Sequence, residues 1–103
     1  MEVTQSEVQA LFQPNIRDLT SVVFPPEDQA AIFNREIRIA IYNGRTLGRN
    51  SVLEGVWLGL LSLGAISEWH YQNLIAANCN VSERGGWRDM EDDTIIARCG
   101  GVV

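Results

Sequence analysis

The chain has no lysine, one histidine (His70) and only two cysteines, Cys79 and Cys99. One histidine cannot build a histidine-rich metal site, and neither CxxC nor HxxxH spacing occurs, so a zinc centre is disfavoured. No basic and apolar leader opens the sequence, so we expect a cytoplasmic protein with two free thiols. A disulfide between Cys79 and Cys99 remains an alternative on spacing alone.

Motifs for catalysis or nucleotide binding are also missing. The segment 44–48 has neither the Gly-Lys-Ser/Thr ending of a P-loop nor the third glycine of a dinucleotide fingerprint. GxSxG and HExxH are absent. A nucleophile acting with His70 would need Cys79 or a serine brought beside it by folding, together with an orienting acid. We therefore predict no enzymatic activity and no cofactor, and interpret His70 as a partly exposed helix residue.

Long apolar runs are missing as well. The longest extends from Gly55 to Ile66, and Glu54 stands at its edge. It is too short to cross a bilayer and indicates a buried core helix instead. With 103 residues, of which 46% are hydrophobic, the chain is expected to form one domain with a single core.

Charge is unevenly distributed. Eight arginines oppose thirteen carboxylates, which gives a formal net charge of −5. Residues 1–51 hold five arginines and six carboxylates, whereas residues 52–103 hold three and seven. A chain with this negative excess is repelled by phosphate backbones and attracted to basic surfaces. A basic partner is therefore favoured over direct nucleic-acid binding.

Helix start and stop patterns predict an all-α fold, a small bundle of four to five helices. Capping boxes, prolines with carboxylates in the first turn and closing glycines set the bounds. The predicted helices cover 5–13, 26–43, 52–63, 68–77 and 90–98. Ser67 is the expected N-cap of the helix over 68–77, and Asp89 is that of the helix over 90–98. The short apolar segment 16–24 suits a further helix, although 21–24 would also suit a buried strand.

The helix over 52–63 is apolar nearly all round, so we place it at the centre of the core. Ser51 and Glu54 form a capping box at its start. Gly55 and Gly59 lie four residues apart on one face, where a neighbouring backbone can come close. This face suits packing inside the protein and packing across a homodimer equally well.

Two segments leave an α+β fold as the alternative. Residues 37–47 contain an apolar alternation and the hairpin-turn pair Asn43-Gly44, although the returning arm has only one large apolar residue. Residues 94–99 could form a terminal strand, but the carboxylates before them and Arg98 match a helix dipole. We favour helix in both segments, with Asn43-Gly44 ending the first.

Residues 87–93 combine a tryptophan in a glycine-rich loop with the densest charge cluster. Tryptophan and arginine are favoured at binding hot spots, and carboxylates can imitate phosphates before a basic groove. Two plainer interpretations stay open: an acidic helix start that faces water, and a tryptophan that caps the core. A magnesium or calcium site is conceivable, but the EF-hand pattern is absent. The candidate partner-binding residues are Trp87, Arg88, Asp89, Glu91, Asp92 and Asp93.

A helix-turn-helix that binds DNA is the alternative function. The helix over 68–77 would present Gln72 and Asn73, whose amides can pair with adenine edges. No arginine lies between Arg49 and Arg84, so phosphate contacts would have to come from a neighbouring basic strip. The candidate nucleic-acid-binding residues are Arg35, Arg38, Arg45, Arg49, Gln72 and Asn73.

Short, acidic, helical and without catalytic motifs, the chain resembles in size class the small inhibitors carried by phages and mobile elements. These include anti-CRISPR and anti-restriction proteins. The resemblance rests on the character of the chain, and no motif carries it. It implies an inhibitor or adaptor that occludes a basic surface of a protein or nucleoprotein complex, such as a CRISPR complex, away from membranes.

Overall fold

The computed structural model describes residues 24–103, which contain four α-helices and one short 3₁₀ helix. They are α1 (Pro26–Thr46), α2 (Ser51–Ser62), α3 (Glu68–Ser82), the 3₁₀ helix (Trp87–Asp89) and α4 (Asp92–Arg98). The predicted all-α bundle is confirmed. The strand alternatives at 37–47 and 94–99 are wrong, because α1 and α4 run through these segments. The helices predicted over 5–13 and 16–24 lie outside the described residues.

The helix α1 continues past Asn43-Gly44, which was predicted to end it. The residue in the left-handed conformation is Gly48, with φ of 82°, and its carbonyl accepts a hydrogen bond from Asn43 Nδ2 at 2.8 Å. Gly44 serves a different purpose, because a Cβ built there would lie 3.1 Å from the side chain of Val81 in α3. The glycine therefore allows close packing of α1 on α3.

The core lies mainly between α1 and α3, which form the most extensive contact between two elements, and α4 closes it at one side. The prediction that 52–63 forms its centre is wrong for residues 24–103, because Trp57 is the only buried residue of α2 among them. An apolar composition shows that a helix can be buried, but not how many neighbours cover it. The buried apolar side chains of α1, α3 and α4 are those of Phe33, Ile37, Ala40, Ile41, Leu74, Ala77, Val81, Ile95 and Ile96.

A buried hydrogen bond joins α2 to α1. Trp57 Nε1 donates to Glu36 Oε1 at 3.2 Å, and Arg35 Nε donates to the other carboxylate oxygen at 2.9 Å. Glu36 is only 5% exposed, and a buried carboxylate is costly unless its oxygens are paired. Both oxygens have donors here, so the charge is accommodated and the orientation of α2 is specified.

The start of α2 also differs from the prediction. Asn50 is the N-cap, and its side chain accepts a hydrogen bond from the backbone of Val52 at 2.8 Å. Glu54 pairs with Arg49 Nε at 2.6 Å. The predicted capping box between Ser51 and Glu54 is therefore wrong. Asparagine is as good an N-cap as serine, and it precedes the serine by one residue.

The helix α3 begins where Ser67 was predicted to cap it and extends five residues beyond the predicted end at 77. His70 completes a capping box that was not foreseen. Its backbone N–H donates to Ser67 Oγ at 3.1 Å, while the Ser67 backbone N–H donates to His70 Nδ1 at 3.1 Å. The imidazole also lies 4.6 Å from the ring of Phe33, centroid to centroid, and partial burial lowers the pKa of His70.

We expect stability to fall as the pH drops below about 6.5, the ordinary pKa of histidine. Because folding lowers the pKa of His70, the unfolded chain takes up this proton first. The stabilisation is complete above the unfolded pKa and is lost as the pH falls through the folded pKa. Protonation also turns Nδ1 into a donor, so the backbone N–H of Ser67 loses its acceptor.

The measurement is the melting temperature between about pH 7.5 and pH 5, a range above most carboxylate titration. The control is His70→Gln, which keeps a capping-box side chain but does not titrate. The melting temperature of the wild type should decrease more on acidification than that of the variant. Equal slopes for the two proteins would contradict a role for His70.

Candidate partner-binding surface

The segment that carries the acidic residues leaves α3 through a tight glycine turn. Gly85 has φ of 86°, in the left-handed region. A Cβ built on the next residue, Gly86, would lie 2.4 Å from the backbone oxygen of Asn80. Only glycine fits against that carbonyl, and the chain therefore folds back on the end of α3 before the 3₁₀ helix begins at Trp87.

Arg45 of α1 holds this segment from the other side. Its Nε donates to the carbonyl of Arg88 at 3.2 Å, and its other two nitrogens contact Met90 O and Asp92 Oδ1. One planar guanidinium thus fixes both ends of the turn over 88–92. Arg45 was predicted to belong to the basic strip, and the structure places it against the acidic segment instead. No sequence pattern links it to Asp92, which lies 47 residues away.

Trp87 packs against the hydrophobic core and is half-buried. The guanidinium carbon of Arg98 lies 5.3 Å from the centroid of a Trp87 ring, which is within cation–π range. This packing agrees with the plainer interpretation of Trp87 as a cap on the core. Part of the indole stays accessible, so contact with a partner is compatible with the same position.

The four acidic candidates Asp89, Glu91, Asp92 and Asp93 are all exposed. Asp92 is paired with Arg45, whereas the other three make no ion pair with any residue of the described range 24–103. The helix α4 begins at Asp92 with Glu91 as its N-cap, so the predicted start at 90 with an Asp89 cap is wrong. The result is a turn, held by Arg45, that carries Asp89 and Glu91 and leads into Asp93 in the first turn of α4, with exposed Arg88 beside these three carboxylates.

The predicted basic strip is largely compensated by the chain's own groups. Arg35 pairs with Glu36 and Arg49 pairs with Glu54, whose hydrogen bond raises the pKa of Arg49. Arg38 donates to the backbone oxygen of Asn34 at 3.2 Å. Arg45 is held by the acidic segment, so it is not free to contribute to a common basic surface with the other three arginines.

The two amides of the alternative DNA-binding helix differ in availability. Asn73 donates to the backbone oxygen of Trp69 at 2.8 Å, within its own helix. Gln72 is exposed on α3. Among residues 24–103, a recognition helix would therefore present one side-chain amide without a hydrogen-bond partner, with its phosphate contacts dependent on arginines that already have partners.

Cys79 and Cys99 are both free thiols. Cys99 is buried, and this burial raises its pKa, which keeps the thiol protonated. Within residues 24–103, no three side chains of the types His, Cys, Asp and Glu come close enough together to hold a metal ion.

The helices of the described region are all too short or too polar to cross a membrane. The chain matches no protein-family model, none of the curated proteins and none of the solved structures with which it was compared.

Proposed function

We propose that this protein is a small, non-catalytic inhibitor or adaptor that binds a basic surface of a macromolecular partner through residues 87–93. The observation that supports it most directly is the fixed acidic turn. Asp89, Glu91 and Asp93 are exposed and have no ion-pair partner in the described part of the chain. A turn that already has its bound conformation before the partner arrives loses less conformational entropy on association.

The chemistry of the turn favours a partner that handles nucleic acid. Three carboxylates on a rigid turn can occupy places that phosphates take on a basic surface, and their attraction accelerates association. Binding would then occlude the surface by its bulk and by its charge. This mechanism fits an inhibitor of a nucleoprotein machine such as a CRISPR complex, of the class that phages and mobile elements carry. The proposed setting is the cytoplasm.

The test compares two triple variants of equal charge change in an affinity capture from host lysate. The first neutralises the surface, with Asp89→Asn, Glu91→Gln and Asp93→Asn. The matched control neutralises three exposed carboxylates elsewhere, with Glu27→Gln, Asp28→Asn and Glu68→Gln. For the partner that is captured, we expect the surface variant to raise Kd by at least about 10-fold and the control by less than about 2-fold.

Nuclease treatment separates this proposal from the alternative of a DNA-binding regulator. A protein partner that persists after nuclease treatment and is lost with the surface variant supports the proposal. Equal binding by the two triple variants contradicts the acidic surface. Recovery of nucleic acid, with protein partners lost on nuclease treatment, would instead favour Arg38, Gln72 and Asn73 as the contact residues.

A further inference from the structure

The helix α2 exposes a continuous apolar stripe on the side away from α1 and α3. Val52, Val56 and Leu63 are 73%, 47% and 40% exposed. Gly55 and Gly59 lie between them, and no atom of residues 24–103 comes within 4 Å of a Cβ built on either glycine. At about 100° per residue these five positions share one side of the helix. Contiguous exposed apolar surface of this kind marks an interaction site.

The stripe is suited to another helix and carries no charge. Positions 52, 56, 59 and 63 are separated by four, three and four residues, which is the spacing of a coiled-coil seam. The nearest acidic side chain on α2, Glu54, is already paired with Arg49 at 2.6 Å. Two such stripes can therefore meet without bringing unpaired like charges together.

The sequence of the stripe is complementary to itself. Two copies of α2 packed antiparallel, with a two-fold axis between residues 57 and 58, place Val56 opposite Gly59 and Val52 opposite Leu63. Each Val56 side chain then meets a glycine that leaves room for it. A two-fold interface requires a patch that fits itself, and this knob-and-gap pattern meets that requirement. We propose that the α2 stripe is the interface of an antiparallel homodimer.

The expected dimer is weak. The stripe consists of two valines, one leucine and two glycines, too few to reach the roughly 800 Å² per partner of a standard stable interface. We expect Kd on the order of 100 µM. The interface includes none of the residues 87–93, so the dimer goes beyond the proposed function and does not depend on it.

The test is sedimentation equilibrium of the full chain from about 5 µM to about 1 mM, a range that brackets the expected Kd. The wild type should shift from monomer to dimer. Val56→Glu, and Gly59→Leu, which fills the gap, should each raise Kd by at least about 10-fold. Leu58→Glu is the matched control, because Leu58 is 50% exposed on another side of α2 and should change Kd by less than about 2-fold.

Three results would overturn the proposal. The first is a wild type that stays monomeric up to about 1 mM. The second is an equal effect of Val56→Glu and Leu58→Glu on the dimer. The third is a much larger loss of melting temperature in dilute Val56→Glu than in dilute Leu58→Glu, which would place the stripe against another part of the same chain. Weakened capture of a different protein by Val56→Glu, with a monomeric wild type, would assign the stripe to that protein.

Discussion

Replacing Trp57 by alanine is expected to lower the free energy of unfolding by about 3–5 kcal/mol. Trp57 is fully buried and is the only residue of α2 that is buried within residues 24–103. Truncation removes the largest side chain of the core and leaves a cavity that its neighbours cannot fill. It also deprives the buried carboxylate of Glu36 of one donor. Urea unfolding followed by circular dichroism measures the loss.

Two further variants separate the causes. Trp57→Phe keeps most of the apolar volume but removes the donor, so the unpaired Glu36 oxygen should cost about 1–3 kcal/mol. Leu58→Ala alters the neighbouring residue, whose side chain is half-exposed, and should cost less than about 1 kcal/mol. If Trp57→Ala proved no more damaging than Leu58→Ala, the anchoring of α2 by Trp57 would be wrong.

Local patterns predicted where helices begin better than where they end. Pro26 with its carboxylates and Ser67 mark real starts, because capping depends on residues within one turn. Asn43-Gly44 has the composition of a stop, yet both residues are helical and buried. There the contact with Val81 in α3 decides the role of the glycine, and no local pattern contains that contact.

The composition of α2 was informative about its type and misleading about its place. Its apolar residues predicted a helix, but when a helix is apolar nearly all round, its sequence does not show which face points to the core. The helix α1 carries the directional pattern, with Phe33, Ile37 and Ile41 on one face. The same periodicity includes Glu36, whose burial could have been anticipated because it follows Phe33 by three residues and precedes Ala40 by four. Its pairing with Trp57 could not, because the two are joined only by the folded chain.

The carboxylates of the candidate surface could be identified from the sequence, but the contacts that hold them in place could be seen only in the structure. Residues 87–93 are contiguous, so their proximity followed from the sequence alone. The three-way contact of Arg45 with the turn joins parts of the chain more than forty residues apart. It changes the interpretation of Asp92, which is a structural partner of Arg45 as well as a surface charge. The proposed contacts to a basic partner therefore depend chiefly on Asp89, Glu91 and Asp93.

The proposed binding depends on the contacts that hold the turn as well as on its charge. Exposed carboxylates on a mobile loop would lose conformational entropy when a partner fixed them. Here Arg45 holds one side of the turn, and on the other side the backbone of Gly86 lies so close to Asn80 O that no side chain fits between them. A substitution that moves the turn without changing any charge would therefore test whether position matters as much as charge.

Gly86→Ala is that substitution, and we expect it to lower the free energy of unfolding by about 3 kcal/mol and to weaken partner binding. A methyl group would lie 2.4 Å from the backbone oxygen of Asn80, so the backbone itself has to shift. The shift would displace Trp87 from the core and move the carboxylates that follow. Urea unfolding monitored by tryptophan fluorescence measures the stability. The Kd of the variant for the partner captured by the wild type measures binding.

Gly85→Ala is the matched control one residue earlier. Its φ of 86° makes alanine unfavourable by about 1 kcal/mol, but no atom of the described residues 24–103 lies within 4 Å of the added methyl group. It should therefore cost far less than Gly86→Ala and leave partner binding within about 2-fold of the wild type. A Gly86→Ala protein that binds normally, despite its lower stability, would mean that charge alone determines recognition. Loss of binding in Gly86→Ala at a temperature where the protein is still folded would mean that the carboxylates act only from the position that Gly86 and Arg45 give them.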